Sequence, residues 1–236
     1  MDTQLFPNLS GLPNVPELKM HYFGKVASRG ELIRLICVFT GIPLSQELVM
    51  DYERGWLQDL KPKTPFGYLP CLEIDGKMYG ESYSLMKYIA KLGGVYPASS
   101  DLETLEMDST MEFVEYSFNS LGAVFEERFV QAWMADKPVL DSPFSPEEQK
   151  AFDDKLLPSL ATLENLLRVN NGLATSTSKT FGIAEISIFV FFDFVNMAFG
   201  SMIDLKKYPM LHQLSQQAKS NERIANYLSK RPDYLF

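Results

Sequence analysis

The stretch Pro65-Phe66-Gly67-Tyr68-Leu69-Pro70-Cys71-Leu72-Glu73-Ile74-Asp75-Gly76 constrains this chain more than any other. Proline has no backbone N–H, so Pro70 fits at the head of a compact strand, Leu69–Ile74, where no ladder bond is asked of it. Asp75-Gly76 is a two-residue hairpin turn, and Lys77–Tyr79 starts the returning strand. Two geometries are open at Leu69–Pro70. A trans bond makes the proline an ordinary cap on the hairpin. A cis bond exposes the backbone N–H and C=O of Leu69, which then pair with an extended peptide as an added strand would.

The flanking segments supply a small sheet and its covering helices. Leu18–Phe23 reads as a strand. Glu31–Thr40 has helical spacing at Leu32, Ile33, Leu35, Ile36 and Phe39, with Gly41 as C-cap. Leu44–Met50 reads as a second strand, and the polar Glu53–Lys61 as a short helix. Ser82–Leu92 is a helix with Leu85, Met86, Tyr88 and Ile89 predicted to face inward. The order is β-α-β-α-β-β-α, a mixed sheet covered by helices.

The second half shows no strand-like alternation of any length. Gly93–Glu103 contains Pro97 and Ser99-Ser100 and reads as linker. Helical patterns follow over Leu105–Asp136, Glu147–Asn170, Ile183–Phe199, Pro209–Ala218 and Glu222–Ser229. Between the first two lies the loop Pro138–Pro146, with three prolines. Pro158 either kinks or divides the second pattern. Ile183–Phe199 is so apolar that it is expected to be buried all round. Its start pairs Phe181 with Ile186 around Gly182, with Glu185 reaching back; Asn221 is the N-cap of the last helix. The expected organisation is an extension over 1–17, an α/β domain over 18–97, a linker over 98–105 and an all-helical domain over 106–236.

Charge and composition remove several functions. The 236 residues carry a net charge of −8 and no basic stripe, which disfavours nucleic-acid binding. The longest apolar run, Ile183–Val195, is interrupted by Glu185 and Asp193 and is read as short of a membrane span. Two isolated histidines, His21 and His212, and two cysteines without a C-x-x-C spacing, Cys37 and Cys71, predict neither a metal site nor a disulfide framework. Residues 1–17 hold four prolines or glycines, an acidic Asp2 and no arginine, unlike a signal or transit peptide.

Three places carry chemistry. Ser82 is an N-cap candidate whose hydroxyl and neighbouring free N–H groups favour a carboxylate, and Glu81 beside it suits an ammonium. Together they fit an amino-acid head group; a plain helix cap is the alternative. Tyr22 ends the first strand, where a phenol can donate to a thiolate or simply fill the core. A thiol of pKa about 8.5 is only about 3% ionised at pH 7. Lowering that by ~2 units takes roughly 2.7 kcal/mol of differential stabilisation.

Tyr22-Phe23, Arg29-Gly30-Glu31-Leu32-Ile33-Arg34, Pro65–Gly76, Glu81-Ser82 and Tyr88-Ile89-Ala90 together resemble the N-terminal domain of the glutathione transferases, closest to the tyrosine-type, sigma-like group. Tyr208-Pro209-Met210-Leu211 and Ile224 to Pro232 are similar to that family's C-terminus, so the likeness spans about residues 18 to 236. The resemblance implies a thioredoxin-like domain followed by an all-α domain, and attack of the glutathione thiolate on a hydrophobic electrophile. It gives Tyr22 the thiolate-stabilising hydroxyl. Leu69, before cis-Pro70, would meet the cysteinyl part; Glu81 and Ser82 the γ-glutamyl head; Trp56 and Lys61 the glycyl end. Asp108 would reach the γ-glutamyl amine of a neighbouring subunit, which implies a homodimer. Helical spacing from Asp108 points Glu112, Tyr116 and Asn119 toward an electrophile cleft beside the Tyr22 loop. Glutathione is then a co-substrate, with no metal or other cofactor, no nucleic acid, no membrane, and a cytoplasmic location.

The pattern departs from the family in three places. The Tyr22–Arg34 spacing is one residue longer, Tyr68 replaces a common Gln or Lys, and Gly182-Ile183-Ala184-Glu185 replaces a Ser/Thr-x-x-Asp capping box. Gly for Ser at an N-cap costs only a few tenths of a kcal/mol, so the helix is expected to form. Serine-type relatives would place their hydroxyl near Lys25, so Tyr22 is favoured over Ser28. The Gly24–Ser28 loop has no cysteine, which disfavours thiol exchange, and Cys71 reads as a buried strand residue. A glutathione-dependent isomerase resembling prostaglandin D synthase would use the same site. A ligand carrier or a crystallin-like relative would keep the fold without turnover.

Overall fold

The computed structural model describes residues 15–97, 100–178 and 180–236. The extension read over 1–17 therefore lies outside the described residues as far as residue 14, as do Ala98 and Ser99 of the linker. The chain separates into two compact units, with the division between Tyr96 and Pro97.

The first unit is built on a four-stranded sheet of order β2-β1-β3-β4. It comprises β1 (Leu18–Phe23), α1 (Ser28–Thr40), β2 (Ser45–Val49), a wide-turned helix (Tyr52–Leu60), a 3₁₀ turn (Lys61–Lys63), β3 (Cys71–Ile74), β4 (Lys77–Tyr79) and α2 (Ser82–Leu92). β1 runs parallel to β2 and antiparallel to β3, with Tyr22 opposite Leu48 and His21 opposite Cys71. The turn between β3 and β4 is Asp75-Gly76, at φ 49° and 79°, the paired left-handed geometry of a two-residue hairpin. Gly41 at φ 76° ends α1, its N–H bonding the Cys37 carbonyl at 2.8 Å. β3 starts at Cys71 rather than Leu69, because Pro70 has no N–H to enter the ladder with.

Burial corrects one prediction in α2. Leu85, Met86 and Ile89 are buried as expected, but Tyr88 is exposed, and Tyr83 and Ala90 complete the inner face. At 3.6 residues per turn, the stripe through positions 82, 86 and 89 leaves Tyr88 on the far side.

α1 carries a fully buried ion pair. Arg34 and Glu31 are each 1% exposed and meet at 3.1 Å. The guanidinium also donates to the Gln46 side chain in β2 at 2.8 Å and to the Val26 carbonyl at 3.2 Å. A buried charge is tolerated only with such a set of partners.

The second unit is all helical: α3 (Asp101–Ala135), α4 (Pro146–Ala151), α5 (Leu157–Val169), α6 (Ile183–Phe199), α7 (Pro209–Ser220) and α8 (Glu222–Leu228). α3 begins at Asp101 under a Ser100 cap, so most of the span read as linker, 98–105, is helical. Pro158 divides its pattern. Lacking an N–H, it cannot continue the ladder, and the turn before it, Phe152–Leu156, is wide, with the Leu157 N–H bonding the Phe152 carbonyl.

α6 is buried nearly all round. Its extension Ile183–Met202 does have the length and apolarity of a membrane span, contrary to the reading that ended the run at Val195. However, 78% of that window is buried inside the protein. Gly182 offers no side chain to the helix start, and Glu185 compensates. One carboxylate oxygen accepts the Gly182 N–H at 2.8 Å and the other the Ala174 N–H at 2.7 Å. Phe199 is fully buried among Phe125, Phe129, Phe144, Phe152 and Phe194, which makes it a core residue.

Arg128 ties the end of α3 to the start of α4, meeting Glu148 at 2.7 Å while donating to the Val139, Ser142 and Pro143 carbonyls. Glu148 also closes the capping box with Ser145. The Arg128 hydrogen bonds hold the Glu148 carboxyl down at about 2. A lowered folded-state pKa contributes stability above the unfolded value and loses it as pH falls toward 2. Glu148→Gln is expected to lower stability at pH 7 by about 3 kcal/mol and to flatten the stability curve between about pH 5 and 2. Urea unfolding across that pH range measures both effects.

Candidate functional site

Tyr22 stands where β1 ends, and its ring lies against the first turn of α1. A Cβ added at Gly30 would fall 2.3 Å from the ring, so only glycine permits this approach. The Arg34 guanidinium lies over the same ring, 5.6 Å from its centroid. The loop between β1 and α1 turns through two left-handed residues, Lys25 at φ 62° and Ser28 at φ 33°.

Burial raises the Tyr22 phenol above its usual range. The charge of Arg29, a hydrogen bond from the Ser28 side chain, the charge of Arg34 and a hydrogen bond from the Gly30 backbone all pull it back. The phenol is therefore protonated at neutral pH. With Ser28 and Gly30 serving its oxygen as donors, its own proton is available to an acceptor.

The remaining first-unit residues read from the sequence gather around the same edge of the sheet. The Leu69–Pro70 bond is cis. Extending the β1–β3 register beyond His21 and Cys71 brings Tyr22 level with Pro70. Phe23, next to Tyr22, meets Trp56 edge-on at 5.4 Å and stacks toward Tyr52 at 6.5 Å. Trp56 is buried, and the ammonium of exposed Lys61 lies 5.9 Å from its ring centroid. The Lys61 side chain also runs beside Gly67, 3.7 Å from where a Cβ would stand. Thr64 ties this turn together, donating to the Lys61 carbonyl and accepting the Gly67 N–H.

Glu81 and Ser82 exchange the roles expected at the start of α2. Glu81 is the N-cap and Ser82 the first helical residue. Glu81 is exposed and takes φ 68°, ψ 98°, an uncommon conformation for a residue with a side chain. Such outliers persist where the surroundings require them, and they cluster at ligand-binding sites. Ser82 is buried. Cys71 is buried, with its Sγ at 3.3 Å from the Tyr68 carbonyl; burial first, and the Glu81 charge second, push the thiol up to about 11. Burial also raises Cys37. Neither is a thiolate nucleophile at neutral pH.

Asp108, Glu112 and Tyr116 belong to the second unit and follow one another along one face of α3 at four-residue spacing. Glu112 and Tyr116 are exposed and Asp108 half-buried. Asn119, also exposed, donates to Glu115 at 3.1 Å. Among the described residues, no group of three or more His, Cys, Asp or Glu side chains is placed to hold a metal ion.

Sequence reasoning missed two residues that shape the site, Gly30 and Arg34. The glycine left a legible signal: inside an apolar helical pattern, it marks a close approach by something else. Arg34 left none, because a charged residue in a helix is ordinarily solvated.

Comparison with known proteins fits this geometry. Residues 23–94 match the family model described as "Glutathione S-transferase, N-terminal domain", and residues 135–231 match "Glutathione S-transferase, C-terminal domain". A "Probable glutathione S-transferase 6" of Caenorhabditis elegans is 31% identical over 92% of this chain and 98% of its own length. A "Glutathione S-transferase" of Anopheles gambiae is 26% identical over 92% and 98%. Among solved structures, prostaglandin synthase D of Nilaparvata lugens superposes with a TM-score of 0.71 at 20% identity, over 92% of this chain and 99% of that one; this likeness is one of fold.

The contact between Gly30 and Tyr22 is directly testable. Gly30→Ala forces a methyl group into the ring and is expected to cost about 1–3 kcal/mol, as overpacking does. In a Tyr22→Leu background most of that cost should disappear, a coupling that a double-mutant cycle in urea measures.

Proposed function

The chain belongs to the glutathione S-transferase family, and from that premise we propose that Tyr22 donates its phenolic proton to the glutathione sulfur as the thiolate attacks a hydrophobic electrophile. The protein is a glutathione transferase. The observation that carries the residue assignment is the state of Tyr22: a buried, protonated phenol at the strand end, beside the cis-Pro70 turn, with its oxygen already served by two donors.

The rest of the site follows from the chemistry of the tripeptide. The Leu69 backbone pairs with the cysteinyl residue as a strand edge does. Glu81 takes the γ-glutamyl ammonium, and Ser82 with the first free N–H groups of α2 takes its carboxylate. Trp56 and Lys61, already in contact, hold the glycyl end, with the Lys61 ammonium on its carboxylate. Asp108 serves the γ-glutamyl amine of a second subunit, so the working form is a homodimer. Glu112 and Tyr116 meet the electrophile. The enzyme needs no cofactor beyond glutathione as co-substrate, acts in the cytoplasm, and falls in the tyrosine-type, sigma-like group. Catalysis then comes from a stabilised nucleophile and from holding two reactants together. A glutathione-dependent isomerase would use the same thiolate. The solved structure named for that activity shares the fold at 20% identity, and conjugation is the reading argued here.

The test is the ionisation of bound glutathione. Thiolate absorbance and conjugation of a chlorodinitrobenzene electrophile are followed against pH. Tyr22→Phe is expected to raise the bound thiol by about 1–2 units and to lower kcat/KM about 10- to 100-fold below that range, with little change in glutathione affinity. An unshifted thiol in the unmodified protein, without turnover, would favour a carrier.

A further inference from the structure

Ser28 is an expensive choice where it stands. Its φ of 33° lies in the left-handed region, where a side chain is disfavoured and glycine is free. It is the first residue of α1, two positions before Gly30, whose missing side chain lets the Tyr22 ring reach the helix. No backbone or packing demand calls for serine there. Helix starts favour serine at the N-cap, but here Ala27 occupies that position and makes no side-chain cap bond. What the serine adds at this place is a hydroxyl against the phenol oxygen.

We propose that Ser28 is a positioning residue for Tyr22: its hydroxyl donates to the phenol oxygen and leaves the phenolic proton for the glutathione sulfur. The inference rests on Tyr22 as the thiolate's donor. A phenol has one proton and a small number of acceptor sites. With the Ser28 O–H and the Gly30 N–H both directed at its oxygen, the remaining direction for the Tyr22 O–H is outward. A donor that is itself accepting hydrogen bonds is polarised and donates more strongly. Ser28 and Tyr22, alternatives for one role when read from the sequence, become two members of one relay. No bond is made or broken at Ser28.

The decisive variant is Ser28→Gly, which removes the hydroxyl and relaxes the backbone. A serine serving structure alone predicts a pH profile that does not move. The proposal predicts that the acid limb of kcat/KM and the thiolate titration both move upward by about half a unit to one unit. Turnover near pH 6.5 then falls about threefold to tenfold, converging with the unmodified enzyme in alkali, while glutathione KM holds. Ser28→Ala should shift the profile equally, because it too lacks the hydroxyl. In a Tyr22→Phe background, Ser28→Gly should add nothing. If Tyr22→Phe moves the limb and Ser28→Gly does not, the relay is wrong while the thiolate reading survives. If Tyr22→Phe leaves the limb in place, both fail together. Turnover that survives Tyr22→Phe and vanishes in Ser28→Gly would make the serine the thiolate's own partner and overturn its positioning role.

Discussion

The first unit depends on a guanidinium held out of water. Arg34 meets Glu31 on its own helix, Gln46 on β2, the Val26 carbonyl in the loop before α1, and the face of the Tyr22 ring. One buried charge thus joins a helix, a strand and a loop, and it does so directly beneath the proposed catalytic phenol. Removing a partner from such a group costs about 3–5 kcal/mol, because the other charge stays buried. The same need for complete pairing makes the arrangement rigid. Each donor has one place to go, so the ring it covers has one place to sit.

That rigidity explains how an ordinary tyrosine becomes a reagent. Burial alone raises its phenol and keeps the proton on. Positive charge and donors nearby partly offset burial, so the proton is held but is readily shared. The second unit uses carboxylates in the same spirit for helix ends. Glu185 completes the start of α6 in place of a side chain that Gly182 lacks, and Glu164 from α5 accepts the Met210 and Leu211 N–H groups at the start of α7. Each satisfies orphan N–H groups that would otherwise be buried unpaired.

Much of this was legible in the chain because it is local. Leu18–Phe23, Ser82–Leu92 and Ile183–Phe199 have their observed limits in the sequence pattern, since period and capping residues are short-range signals. Asp75-Gly76 marked its turn for the same reason. Boundaries that depend on partners were less legible. Leu69 looked like strand until the cis bond was seen, and Leu102 to Leu105 looked like linker although Ser100 caps a helix there. Tyr88 looked inward because apolar residues usually do, yet helix geometry sets it outside.

The amino-acid order by itself determined the element sequence, the family and the residue types able to meet a thiol, a carboxylate and an ammonium, because each is encoded within a few neighbouring positions. The environment of Tyr22 was decided only by tertiary structure. Gly30, Ser28 and Arg34 lie 8, 6 and 12 residues from it in the chain, and only the return of α1 across the sheet brings their N–H, hydroxyl and charge onto one phenol. Burial and hydrogen-bond direction are properties of that packing, and no local pattern of residues carries them.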